Sequence, residues 1–164
     1  MKNIFNIRKN PRMRGFNYRS PRKYFITTNV KYNFFTFCEI IDGKIKLNQY
    51  GEIVQRQWDW LMNHYPYLKS HAFVIMPDHI HAVIEILHKG FSDEFIKIKS
   101  LSEVIGAFKT RVSKEIHLTG AWDFSWQRSF HDEVIDSNAE FDAYVRYVNN
   151  NPKDWMNKTL RKGD

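Results

Sequence analysis

The sequence predicts an α+β sandwich, an antiparallel sheet with helices on one face. Three observations carry that expectation: strand-like segments precede the first helical one, strand and helix signals then alternate, and one late strand has a complete apolar row on one side. Tyr24 to Val30 (YFITTNV) alternates and is rich in aromatic and β-branched residues. Phe35 to Ile41, then Asp42-Gly43 and KIKL, reads as a hairpin on a two-residue turn. Asn48 caps a helix whose apolar positions Tyr50, Ile53, Val54, Trp58 and Leu61 follow helical spacing, with Pro66 as its stop. Ala72 to Met76 and His79 to Leu87 are two further strands joined at Pro77-Asp78, and residues 88–99 read as a loop. Ser100 with Glu103 forms a capping box for a helix lined by Leu101, Val104, Ile105, Phe108 and Val112. After Gly120, the segment FSWQRSFHDEVI is short and extended. Ser137 with Glu140 then opens a last helix, apolar at Phe141, Tyr144, Val145 and Val148 and ended by Pro152.

The chain has 164 residues, 43% of them hydrophobic, enough for one domain with its own core. A single cysteine, Cys38, excludes an intramolecular disulfide framework and a multi-cysteine zinc site, and fits a small core residue. No apolar run reaches the ~20 residues of a membrane span and no signal-peptide core follows the first charges. A cytoplasmic, nucleoid-associated protein without a membrane partner is therefore expected. The net charge is +7 and unevenly placed: residues 1–38 hold nine Lys or Arg and no acid, whereas the remainder has 16 basic and 18 acidic side chains. The basicity belongs to an N-terminal arm, residues 1–20, followed by one domain over 21–155 and a short tail at 156–164. Interleaved with Phe5, Phe16 and Tyr18, the arm suits phosphate neutralisation and base stacking, or is simply a solvated tail. Arg12, Arg14, Arg19, Arg22 and Lys23, with Lys109 and Arg128 in the body, are the candidate nucleic-acid contacts.

Two features bear chemistry. In the run FVIMPDHIHAVIEI, His79 and His81 stand two apart and so share one face of a strand, opposite the apolar row Ile80, Ala82, Ile84 and Ile86. Two imidazoles aimed at one point can chelate a divalent ion, although such a pair is also found as plain hydrogen-bonded surface histidines. In YVRYVNNNPKDW, Tyr147 and Asn151 are neighbours on one face of the last helix, and Tyr147 lies beside the apolar stripe that contains Tyr144.

Together, MPDHIHAVIEI and a terminal helix bearing YVNNNP resemble the single-tyrosine HUH transposases, most closely the REP-associated tyrosine transposases. DGKIKLNQYGEIV, SLSEVIGAFKTRVSKEI and WQRSFHDEVI resemble the segments between those motifs, so the likeness spans about residues 18 to 155. The resemblance implies a ferredoxin-like sandwich. It further implies a metal held by His79, His81 and Asn151, and Tyr147 as the nucleophile that cleaves and rejoins single-stranded, hairpin-associated DNA through a 5′-phosphotyrosine. Magnesium or manganese is the implied cofactor. Nitrogen and amide donors are unusual for magnesium, which prefers oxygen. Two rival readings stand beside this one: a non-catalytic single-stranded nucleic-acid-binding module, and a metal-dependent hydrolase in which water attacks and Tyr147 is dispensable. The sequence does not choose between monomer and homodimer.

Overall fold

The computed structural model describes residues 17–33, 35–87 and 97–160. It contains β1 (Lys23–Asn29), β2 (Cys38–Ile41), β3 (Lys44–Leu47), α1 (Gln49–His64), β4 (Leu68–Ile75), β5 (His79–Ile86), α2 (Leu101–Leu118), β6 (His131–Ile135) and α3 (Asn138–Leu160). The main sheet has the order β4-β5-β1-β6, antiparallel at every pairing, while β2 and β3 form a separate hairpin. This is the expected α+β fold, consistent with a ferredoxin-like sandwich. The local signals that position the elements are met. Asp42 and Gly43 both have positive φ, as a two-residue hairpin turn of the primed type requires. Asn48 Oδ1 accepts from the backbone N–H of Tyr50 and Gly51, and Ser100 and Glu103 complete their reciprocal capping box. The expected 88–99 loop lies mostly outside the described residues, as do Arg12 and Arg14 of the arm.

Each face of the sheet has its own core. On one, α1 and α2 cover Tyr24, Ile26, Ile80, Ala82, Ile84 and Ile86 with Val54, Trp58, Leu61, Leu101, Val104, Ile105 and Phe108. On the other, α3 packs against Phe25, Ala72, Val74, Met76 and Val83 through Tyr144 and Val148. The helices thus lie on both faces, two on one and α3 on the other. The physical reason is that the histidine face is not uniformly polar. Phe25, Ala72, Val74 and Val83 form an apolar patch beside the histidines, and burying it stabilises the sheet only if a helix covers it.

Two further expectations change. Pro152 does not end the last helix: α3 runs to Leu160 with the proline inside, so residues 156–160 of the expected tail continue it. Proline removes one backbone donor and crowds the preceding turn. Here the helix beyond it is held by packing, for Pro152 is buried and Trp155 rests against the sheet's histidine face. Tyr18 is not an exposed stacking platform, since it is 8% exposed, its ring stacks on Tyr24 at 6.0 Å and its carbonyl accepts from Leu101 N.

Helix α1 also approaches the β2 strand entry closely. A Cβ at Gly51 would lie 2.1 Å from the Phe37 carbonyl oxygen, a backbone atom that cannot swing aside. Gly51→Ala is therefore expected to destabilise the fold by roughly 1–3 kcal/mol, the usual cost of overpacking, read as a lower urea midpoint with unchanged slope. An unchanged midpoint would show that α1 shifts freely away from Phe37.

Candidate active site

His79 is the first residue of β5 and pairs with Asn29, while His81 pairs with Thr27 on β1 and Val74 on β4. The alternation of the strand puts both imidazoles on the α3 side, because the even positions are committed to the opposite core. Their Nε2 atoms are 3.0 Å apart. Each ring is held from behind through Nδ1, His79 by Asp78 Oδ1 at 2.6 Å and His81 by Thr27 Oγ1 at 2.7 Å. Backing Nδ1 with an oxygen leaves Nε2 as the outward nitrogen, the arrangement that fixes metal-binding histidines. Two nitrogens each ~2.1 Å from one ion and about 90° apart around it would lie ~3.0 Å from each other. The pair therefore fits a divalent cation in adjacent positions.

The α3 face above them supplies the remainder. The Tyr147 ring meets His81 at 5.3 Å and Phe25 at 5.8 Å, and the Trp155 ring meets His79 at 5.7 Å. Asn151 is midway between those two aromatic residues at helical i+4 spacing and is only 7% exposed. The helix thus lays Tyr147, Asn151 and Trp155 along the histidine pair. Tyr144 is turned elsewhere: its ring stacks on Phe25 at 4.6 Å within the core. Among the described residues no group of three or more His, Cys, Asp or Glu is placed to hold a metal. Any third protein ligand would be of another residue type; Asn151, the one expected from the sequence, is buried on α3 between Tyr147 and Trp155.

The two histidines differ in their electrostatic surroundings. Burial, and then the neighbouring His79, push the His81 pKa down to about 3, so its imidazole is neutral at physiological pH. The hydrogen bond from His79 holds the Asp78 carboxyl below its ordinary value. His131 is a further charge neighbour of His81 and lies across β1 from it, both pairing with Thr27. Thr27, the aromatic wall of Phe25 and Trp155, and His131 were not legible as site residues. Their signal is the β1 register, which is set by pairing and carries no motif.

The candidate DNA contacts are spread more widely. Arg19 and Arg22 are on the surface, 3.4 Å from Glu103 and 2.7 Å from Asp136. Lys23 sits over the Phe141 ring at 4.3 Å. Lys109 Nζ donates to the carbonyls of Gln127 and Ser129, and Arg128 is exposed beside them. None of these belongs to the immediate surroundings of the histidine pair.

Two measurements follow. Thr27→Val and Asp78→Asn, which free the rings from behind, are each expected to weaken Mn²⁺ binding about 10–100-fold by calorimetric titration; unchanged affinity would show that the Nε2 pair is not a metal site. In chelator, the lowered His81 pKa has a definite sign. Between pH ~6.5 and 3 the unfolded chain takes up a proton at this position that the folded chain refuses, so stability falls as pH falls through that window. His81→Gln should flatten that part of the stability profile, and an identical profile would remove His81 as its cause.

No family model matches the chain. The fold is shared with a REP-associated tyrosine transposase solved bound to a REP hairpin, at a TM-score of 0.63 and 17% identity over 87% of this chain and 73% of that one. It is also shared with a crystal structure described as a transposase from Deinococcus radiodurans, at a TM-score of 0.50 and 13% identity over 84% and 96% of the two chains. In sequence, the chain is 30% identical over 166 residues to an uncharacterized protein of Haemophilus influenzae, covering 93% of this chain and 92% of that protein. With that identity across nearly the full length of both, the chain belongs to the same family as the Haemophilus influenzae protein.

Proposed function

We propose that the protein is a DNA strand transferase and endonuclease of the HUH type, acting on single-stranded, hairpin-associated DNA with Tyr147 as nucleophile. The observation that carries this reading is the placement of the Tyr147 ring against His81, whose Nε2 lies 3.0 Å from that of His79. A tyrosine beside two imidazoles spaced for a divalent ion is suited to attack on a phosphodiester. A divalent ion bound by His79, His81 and Asn151 would supply Lewis-acid polarisation of a phosphate oxygen.

The chain's own residues do the rest. The Tyr147 oxygen forms a bond to phosphorus as the bond from phosphorus to the 3′ oxygen breaks. The phenolic proton lost on one side is balanced by the proton gained at the new 3′-hydroxyl, and a 5′-phosphotyrosine remains. That linkage conserves the phosphodiester bond energy, so rejoining to another 3′-hydroxyl needs no nucleotide cofactor. Asp78 and Thr27 hold the imidazoles in place, and Trp155 closes the far end of the site over His79. The solved structure bound to a REP hairpin, which shares this fold, supports a hairpin partner. The arm over residues 1–20 then adds phosphate contacts to a catalytic domain at 21–155.

The test separates two tyrosines in one helix. Tyr147→Phe is expected to abolish cleavage and the covalent adduct while leaving DNA affinity within about twofold, because a single exposed-edge hydroxyl is removed. Tyr144→Phe should keep both activities. His79→Ala should lose metal-dependent cleavage and keep binding. A denaturing gel of labelled hairpin DNA, followed by mass spectrometry of any adduct, reads all three. An adduct on Tyr144 would overturn the assignment, and cleavage by Tyr147→Phe without an adduct would point instead to the water-attack hydrolase.

A further inference from the structure

Away from the histidine pair, the C-terminal half of α2 and the 121–128 segment enclose a cleft of about 620 Å³. Both walls are fixed. His117 Nε2 bonds the Phe124 carbonyl at 2.8 Å, Lys109 Nζ bonds the carbonyls of Gln127 and Ser129, and Lys31 N donates to the Ser125 carbonyl at 2.8 Å. Ordered backbone on both sides makes this a built recess rather than a gap between moving parts.

Its chemistry is unusual for a surface with no apparent task. Trp122 is 72% exposed and Leu118 74% exposed, more than the other exposed large apolar side chains among the described residues, Ile41 at 52% and Tyr32 at 40%. The Trp122 ring leans on His117 at 5.9 Å with 31° between planes, so one face is supported and the other is open. Lys114 and Arg128 line the same recess, and neither has an ion-pair partner among the described residues. Among the described residues no carboxylate lines it. An open aromatic face flanked by cations and free of acids fits a nucleobase with its phosphates, since stacking tolerates any base and the cations meet the backbone.

Position joins the cleft to the histidine pair. Gln127 N donates to the Asn29 carbonyl at 2.9 Å, and Asn29 is the register partner of His79. The 125–128 strip therefore flanks β1 at the sheet end that carries His79, two strand spacings or about 10 Å away in the plane of the sheet, and because the cleft is on the α2 side while His79 and His81 face α3, a strand joining the two passes around that end of the sheet. We propose that this cleft is a stacking subsite for an unpaired base of the same DNA strand whose phosphodiester lies at His79 and His81, with Trp122 as the platform and Lys114 and Arg128 as phosphate contacts. The subsite rests on the strand-transferase reading and adds to it a place where the strand is gripped beyond the reacting phosphate.

The test uses the full-length protein and a fluorescent single-stranded oligodeoxynucleotide, read by anisotropy, with adduct formation followed in parallel. Trp122→Ala is expected to weaken binding about 5- to 150-fold, the range set by one stacked base, and Trp122→Phe to restore most of it. Lys114→Gln with Arg128→Gln should flatten the salt dependence of log affinity by about 1.4, at ~0.7 per lost phosphate contact. An oligonucleotide carrying 5-bromodeoxyuridine should photocrosslink to Trp122. All three positions are solvent-facing, so an unchanged unfolding midpoint checks that the variants fold. If the wild type binds and forms the Tyr147 adduct while Trp122→Ala binds equally well, the subsite is wrong and the strand-transferase reading stands. If Trp122→Ala loses affinity but no tyrosine adduct ever forms, the subsite stands and the chemistry is wrong. A wild type that does not bind single-stranded DNA overturns both.

Discussion

The structure depends on the register of β5. This strand lies in the middle of the sheet, and its two sides have incompatible demands: Ile80, Ala82, Ile84 and Ile86 are each fully buried under α1 and α2, while His79 and His81 face α3. Because side chains alternate strictly, a slip by one residue would drive both imidazoles and Glu85 into the dry core and take four aliphatic side chains out of it. Burying an aliphatic side chain is worth ~1.5–3 kcal/mol, so the apolar row alone disfavours that slip by several kcal/mol. The histidines inherit a fixed geometry from residues that never touch a substrate. Pairing with β1 then supplies Thr27 behind His81, and the turn before β5 supplies Asp78 behind His79.

A neutral, desolvated imidazole is costly only if something forces it to charge, and at His81 the pull of Asp78 toward the charged form is outweighed by burial and by the neighbouring His79. His81 is buried beside Phe25, whose ring stacks on it at 5.4 Å, and next to a second histidine. Those are the features that make a nitrogen lone pair available near neutral pH. The carboxylate that would favour a charged ring is placed on His79 instead, at its Nδ1. The two imidazoles thus have different environments, one dry and one backed by a charge, although they are two residues apart in one strand.

Most of the fold was legible because it rests on local signals. The Asp42-Gly43 turn, the Asn48 cap, the Ser100–Glu103 box and the alternating row of β5 each state their structure within a few residues. The misreadings concern what lies far apart in sequence. Nothing in residues 79–86 announces that Phe25 and Val74 will create an apolar patch next to the histidines, so the helix covering that face was unforeseen. Pro152 is a stop signal in local terms, and the contact of Trp155 with His79 that accompanies its continuation spans 76 positions of chain. At the site, the spacing of His79 and His81 and of Tyr147 and Asn151 was readable, whereas Thr27 and Trp155 required the tertiary pairing.

The rotation of α3 about its own axis carries the final constraint. Tyr144, Tyr147, Asn151 and Trp155 all belong to one helix, and at 3.6 residues per turn the choice of which side chain packs determines which are presented. Tyr144 stacked on Phe25 and Val148 fully buried fix that rotation. Tyr147 then falls at the margin of the packed stripe, against His81 but only half-buried, and Asn151 and Trp155 follow it along the same side. Turning the helix by one residue, about 100°, would put Ala143 or Val145 in the place of Tyr144 and Tyr147 or Asn149 in the place of Val148, and lose the stacking on Phe25. The same apolar packing that stabilises the sheet's second face therefore also decides which tyrosine can reach the histidines, and the extension beyond Pro152 brings Trp155 over the other end of the pair. A helix that stopped at the proline would still cover Phe25 and Val83, but it would leave His79 without its aromatic neighbour.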